Sequence, residues 1–178
     1  HERLRVEKFG DSVLRAFSLL APIGKGHRLF IVSPPVGGKT WVARSIWDAC
    51  LRLTIEDDRL YVIGLHVGER PEDGNVLARI LSDSPHDQNR AELYQTPDGD
   101  DEAAHYFVSE YVVNRARRLV ESGFDVVLVV DSFSRILMSH SRSEKIIKPP
   151  TGMVAQGLSH SSIAAVKRLL AIAGDFGI

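Results

Sequence analysis

A chain of 178 residues that is 44% hydrophobic and 25% charged has the make-up of one globular domain, which excludes disorder, collagen and coiled coil as its main state. Lys plus Arg number 22 against 23 for Asp plus Glu, a net charge of -1, so any contact with a polyanion has to come from a local patch. The single cysteine, Cys50, excludes a disulfide framework and points to a reducing, cytoplasmic setting, and no apolar stretch approaches the ~20 residues that cross a bilayer. The chain opens on His1 rather than Met, so it is expected to be a piece of a longer protein.

Strand-like and helix-like stretches alternate. Asp11 to Leu20 has the spacing of a short amphipathic helix, capped by Asp11 or Ser12. Leu29 to Val32 is a short apolar run ending at Pro34-Pro35, the pattern of a buried strand. Lys39 to Leu53 is helical in pattern, and Leu60 to Leu65 reads as a second strand. Pro71 to Leu81 begins with proline and acids, a favourable helix start. Ala91 to Gln95 is a weak strand. Asp101 to Ser122 is the longest helical run, acidic at its start and basic at its end before Gly123. Val126 to Val130 has no polar alternation, which predicts a central parallel strand covered on both faces. Ser143 to Gly157, with Pro149-Pro150, reads as a loop, and Ser161 to Ala173 returns to helical spacing. Strands separated by helices give an α/β fold with a mainly parallel sheet flanked by helices, and such sheets bind ligands at the carboxyl ends of their strands.

The residues after the first strand are Ser33-Pro34-Pro35-Val36-Gly37-Gly38-Lys39-Thr40, followed by a helix. Gly38, Lys39 and Thr40 fit the phosphate-binding loop pattern, with Ser33 where its first glycine is expected. Backbone N–H groups at a helix start face an anion, and the helix dipole adds positive potential there. Pro34 and Pro35 have no N–H to give, so the cradle falls to Val36, Gly37, Gly38, Lys39 and Thr40. Lys39 would reach the β- and γ-phosphates of a bound nucleotide, and Thr40 would ligate Mg²⁺.

Three further positions bear chemistry. Glu69 follows the second strand, where a carboxylate either polarises an attacking water or forms a plain surface pair with Arg70. Asp131 ends the apolar strand, either holding Mg²⁺ as a Walker B aspartate or capping a helix. Arg135 either salt-bridges Asp131, senses the γ-phosphate or lies on the surface. Trp41 either packs on an adenine or fills the core. His140, Arg142, Lys145 and Lys148 form a basic run beside Pro149-Pro150, either a face toward nucleic acid or a solvated one.

Together these segments resemble the ATPase core of the Rho family of transcription terminators, a RecA-like P-loop NTPase. Ala21-Pro22-Ile23-Gly24-Lys25-Gly26 resembles the entry to that family's first strand. The double proline from Ser33 to Thr40 resembles its phosphate loop, and Glu69-Arg70-Pro71-Glu72 resembles its catalytic-glutamate motif. Arg117-Arg118-Leu119-Val120 leading to Asp131-Ser132-Phe133-Ser134-Arg135 resembles its Walker B region. The resemblance implies a hexameric motor that uses ATP and Mg²⁺ to move along single-stranded RNA and release transcripts from an RNA polymerase complex. It implies nucleotide contact from Pro35 to Thr40 and from Trp41, and metal contact from Thr40 and Asp131. Glu69 would activate water, Arg70 support the γ-phosphate and Arg135 couple subunits. Pro150 to Gly157 stands where the family has its RNA-contacting channel loop.

Val36 and Met153 stand where the family has lysines, and each missing charge should lower phosphate affinity and its salt dependence. The resemblance also implies that the family's RNA-binding domain, last strands and arginine finger lie outside these 178 residues. Two other readings compete. Val67-Gly68-Glu69-Arg70 with Gly74-Asn75, and Pro149-Pro150-Thr151 with Leu169 to Gly174, resemble rotary and flagellar or type III export ATPases. A non-hydrolysing nucleotide-binding module is the third. The double proline favours the Rho family, and the joint presence of Lys39, Thr40, Glu69 and Asp131 favours chemistry.

Overall fold

The structure is a computed structural model that describes residues 2–10, 12–34, 37–69 and 71–139 and the strand pairs 153–154 and 158–159. A parallel sheet of three strands lies at its centre, in the order β2 (Ala91–Pro97), β1 (Leu60–Glu69), β3 (Asp125–Asp131). Helices α1 (Ser12–Leu20), α2 (Lys39–Leu53), α3 (Pro71–Asp83) and α4 (Glu102–Glu121) connect and flank it. Another helical stretch begins at 133 and runs to 139.

The alternation of side chains along β1 divides the core into two halves. Leu60 and Val62 point to one face, where Ile46, Trp47, Cys50 and Leu51 of α2 and Leu14 of α1 are buried against them. Tyr61, Ile63, Leu65 and Val67 point to the other, against Val112, Ala116 and Leu119 of α4 and Ile136 beyond β3. Helices on both faces of a parallel sheet are what continuous apolar strands require. Asp101 caps α4: its side chain accepts a hydrogen bond from the Ala103 N–H at 3.4 Å.

Three expectations need correction. Residues 29–32 form no strand: Phe30 and Val32 are 53% and 89% exposed, and Phe30 makes an edge contact with Phe133. A short apolar run becomes a strand only with a ladder partner, and β3 pairs with β1 alone among the described strands. For the same reason β3 lies at the edge of the three-stranded sheet and is half-buried throughout; the central position belongs to β1. The stretch expected as a loop from Ser143 to Gly157 contains β4 (Met153–Val154), paired antiparallel with β5 (Leu158–Ser159). The helix expected over Ser161 to Ala173 lies outside the described residues.

Gly64, in the middle of β1, is where the sheet meets α2 most closely. A Cβ there would lie 2.8 Å from Leu93 Cδ1 and 3.1 Å from the Trp47 ring. The leucine tip can move, whereas the indole, 1% exposed, has nowhere to go. Gly64→Ala is therefore expected to lower unfolding stability by about 1–3 kcal/mol, read as a shift in the urea midpoint at constant slope.

Ion pairs tie the periphery to this frame. Lys25 reaches Asp57 at 3.1 Å, Asp125 at 2.8 Å and Glu2 at 3.1 Å, joining the entry segment to the loop before β1 and to the start of β3. Glu92 of β2 accepts from Arg115 Nη2 at 2.7 Å and from the Tyr94 and Tyr61 hydroxyls. Burial opposes ionisation of Glu92, but the bonds from Arg115, Tyr61 and Tyr94 outweigh it and hold the carboxyl below its ordinary range. A depressed carboxyl pKa contributes stability above the unfolded value and loses it as the pH falls through the folded value. The gap in stability between wild type and Glu92→Gln should thus be about 1–3 kcal/mol at pH 7 and close to nil at pH 2, checked by urea unfolding at both.

Candidate functional site

The phosphate-loop residues gather at the start of α2. Gly38 adopts a left-handed conformation, φ 82°, and serves as the helix N-cap, a position from which glycine offers the first amides of α2 no side-chain oxygen. Gly37 donates to the Pro34 carbonyl at 3.0 Å, and a Cβ on it would come within 2.5 Å of Ser33 Oγ and 2.9 Å of the Pro34 carbonyl oxygen. The loop closes only with glycine there. Lys39 Nζ donates to the Ser33 carbonyl at 3.1 Å, bridging the two ends of the loop. Pro35 and Val36 lie outside the described residues.

Gly37, Gly38, Lys39, Thr40, Trp41 and Arg44 line an open cleft of about 320 Å³. Among the described residues no side chain beyond its chain neighbours stands above Gly38, since none lies within 4 Å of its Cβ position. Trp41 is 45% exposed on this cleft and is not a core residue; the core indole is Trp47. Arg44, one helical turn after Thr40, lines the cleft and also a crevice of about 10 Å³ that contains Asp131, Ala43, Trp47 and Gly64. That crevice joins the end of β3 to the phosphate-loop helix, with room for about one water. Arg44 was not singled out by the sequence reading, although its spacing of four from Thr40 is the signal that places both on one helix face.

The carboxyl end of the sheet brings together the other candidates. Asp131 closes β3, in register with His66 of β1, and its peptide bond to Ser132 is cis. Glu69 is the last residue of β1, and its backbone pairs with Pro97 after a bulge at Gly68. Arg70 lies outside the described residues. Arg135 pairs with Asp98 of the loop after β2, not with Asp131 as one expectation had it, and its Cδ lies 3.2 Å from the Cβ position of Gly68. The basic run from His140 to Lys148 and the channel-loop stretch other than its strand residues lie outside the described residues.

Sequence comparison gives the relationship. No family model matches the chain. Transcription termination factor Rho of Aquifex aeolicus is 38% identical over 157 residues, which is 88% of this chain and 33% of that protein. The proteins of the same name from Streptosporangium roseum and Mycobacterium leprae are 36% and 34% identical over 174 and 175 residues, 97% of this chain in each case. Over most of its own length the chain is similar to Rho. The match runs through the phosphate loop, the Glu69 strand end and the Asp131 strand end, and the three-stranded parallel sheet with its helices fits the RecA-like core expected of a Rho-type sequence. The chain spans about a quarter to two fifths of the length of these Rho relatives.

Proposed function

We propose that this chain is a stretch of the ATPase core of a Rho-type terminator, which binds ATP with Mg²⁺ at the phosphate loop and couples its hydrolysis to movement along single-stranded RNA. The observation that carries the reading is the glycine-shaped loop at the uncapped start of α2, with Lys39 and Thr40 on a cleft of about 320 Å³ and Asp131 on the adjoining crevice. The residues fit the nucleotide: Gly37 is a position that a Cβ would fill, and Gly38 leaves the cleft open above the helix amides.

On this reading Gly38, Lys39 and Thr40 hold the phosphates through backbone N–H groups, the Gly37 N–H being taken by the Pro34 carbonyl, and Lys39 adds a charge at the β- and γ-phosphates. Thr40 and Asp131 would hold Mg²⁺ directly or through water, and the metal would neutralise charge building up on the phosphates. Glu69 takes the proton of a water whose oxygen bonds to the γ-phosphorus as the bond to the bridging oxygen breaks and ADP leaves. Arg70 supports the γ-phosphate, Pro35 and Val36 complete the loop, and Trp41 stands on the cleft where a base can stack. The whole protein would act in the cytoplasm as a homo-hexamer, with the transcribing RNA polymerase complex as its target. Among the described residues no helix is long and apolar enough to cross a membrane.

The test is ATP turnover by the native protein with and without cytidine-rich single-stranded RNA. Turnover that rises with RNA supports the proposal. Turnover indifferent to RNA contradicts the RNA motor and favours an export-type ATPase, and a folded protein that binds ATP without turnover would be a nucleotide-binding module.

A further inference from the structure

The carboxyl end of β1 is held by side chains from β2 and α4 that do not line the nucleotide cleft. Gly68 has a φ of 63° and sits at the break in register between β1 and β2. The residue opposite Glu69 is Pro97, which has no N–H to give the ladder. The Gly68 N–H donates instead to the Thr96 hydroxyl at 3.3 Å. That hydroxyl is bonded at 2.8 Å to His105 Nδ1, and both residues are buried. The other ring nitrogen of His105 is 3.6 Å from the Cβ position of Gly68, and Cδ of Arg135, which is paired with Asp98, is 3.2 Å from the same point. His105 is itself fixed in the first turns of α4: its N–H donates to the Asp101 carbonyl at 3.2 Å, and its carbonyl accepts the Ser109 hydroxyl at 2.7 Å.

We propose that Thr96 and His105 are positioning residues for Glu69. The bulge at Gly68 removes ordinary strand pairing one residue before the carboxylate, at the point where the chain leaves the sheet. The Thr96 hydroxyl supplies the missing hold on β1, and His105 fixes that hydroxyl in place. A plain buried polar pair would satisfy its own atoms; this one terminates on the backbone adjoining the residue proposed to activate water. Displacement of a catalytic group by about 1 Å costs roughly 100-fold in rate, so a bond at this point governs turnover without touching nucleotide. The inference rests on the ATPase reading of Glu69.

The experiment compares wild type, Thr96→Val and Thr96→Ser in the native protein, by ATP turnover, ATP affinity and hydrogen exchange at the Gly68 amide. Thr96→Val keeps the shape and loses the acceptor. It should lower kcat roughly 10- to 100-fold, leave the affinity for ATP within about twofold and speed exchange at Gly68, and Thr96→Ser should restore all of these. His105→Asn, which shortens the side chain that fixes the hydroxyl, should show the same split between kcat and affinity. A folded Thr96→Val with wild-type kcat overturns the proposal, as does a parallel loss of kcat and affinity that serine does not rescue. Absence of turnover in the wild type would count against the ATPase reading, and exchange would then decide: an unchanged rate at Gly68 in Thr96→Val overturns the link, and a faster one upholds it.

Discussion

Lys39→Ala should abolish measurable ATP turnover, a fall of at least about 100- to 1000-fold, while the protein stays folded. Lys39 is exposed, and its hydrogen bond to the Ser33 carbonyl closes the loop without anchoring the core. Loss of a surface side chain of this kind shifts stability by less than about 0.5 kcal/mol. The functional effect is large because the lysine brings a full charge to a place where the helix start offers partial ones. The check is steady-state phosphate release beside an unfolding curve for the same preparation. Unchanged turnover in Lys39→Ala would remove the phosphate loop from the mechanism.

Trp47→Ala should cost about 3–5 kcal/mol of stability, a large part of the ~5–15 kcal/mol that a domain of this kind has in total. The indole is 1% exposed and fills the space between α2 and the glycine notch at Gly64, among Leu51, Leu60 and Leu77. The backbone cannot close over the gap, because β1 is fixed by ladders on both edges. Trp47→Phe should cost less than half as much, since it refills most of the volume and removes an indole N–H that has no partner among the described residues. Urea unfolding of the two variants gives the comparison; equal losses would show that shape at this notch matters less than the packing implies. The loss should reach function as well, since Trp47 lines the crevice shared with Asp131 and Arg44.

Periodicity made the helices legible. α2 runs from Lys39 to Leu53 as its spacing predicts, because its core face repeats through Ile46, Trp47, Cys50 and Leu51. The acids at its start and the basic residues at its end before Gly123 placed α4 equally well. Strand rank was not legible. The apolar run from Val126 to Val130 looks the same in a central strand and at an edge, and only pairing tells them apart. Phe30 and Val32 show the same limit, since an apolar run without a ladder partner among the described residues stays exposed. At the site, the phosphate loop could be read because its chemistry is local: glycine, lysine and threonine on one turn. Thr96 could not be read, because its hydroxyl meets Gly68 across a parallel register and a bulge that no spacing encodes, and His105 acts only through that hydroxyl. Cys50 is buried, which pushes its thiol up to about 12 and leaves it unreactive, as a core position requires.

The most direct test of the account is a calorimetric titration of ATP with Mg²⁺ into the native protein, wild type against Lys39→Ala. Saturable binding at one site per chain is expected in the wild type, dependent on Mg²⁺ and lost in Lys39→Ala. No binding to a wild-type protein shown to be folded, or binding of equal strength in Lys39→Ala, would contradict it.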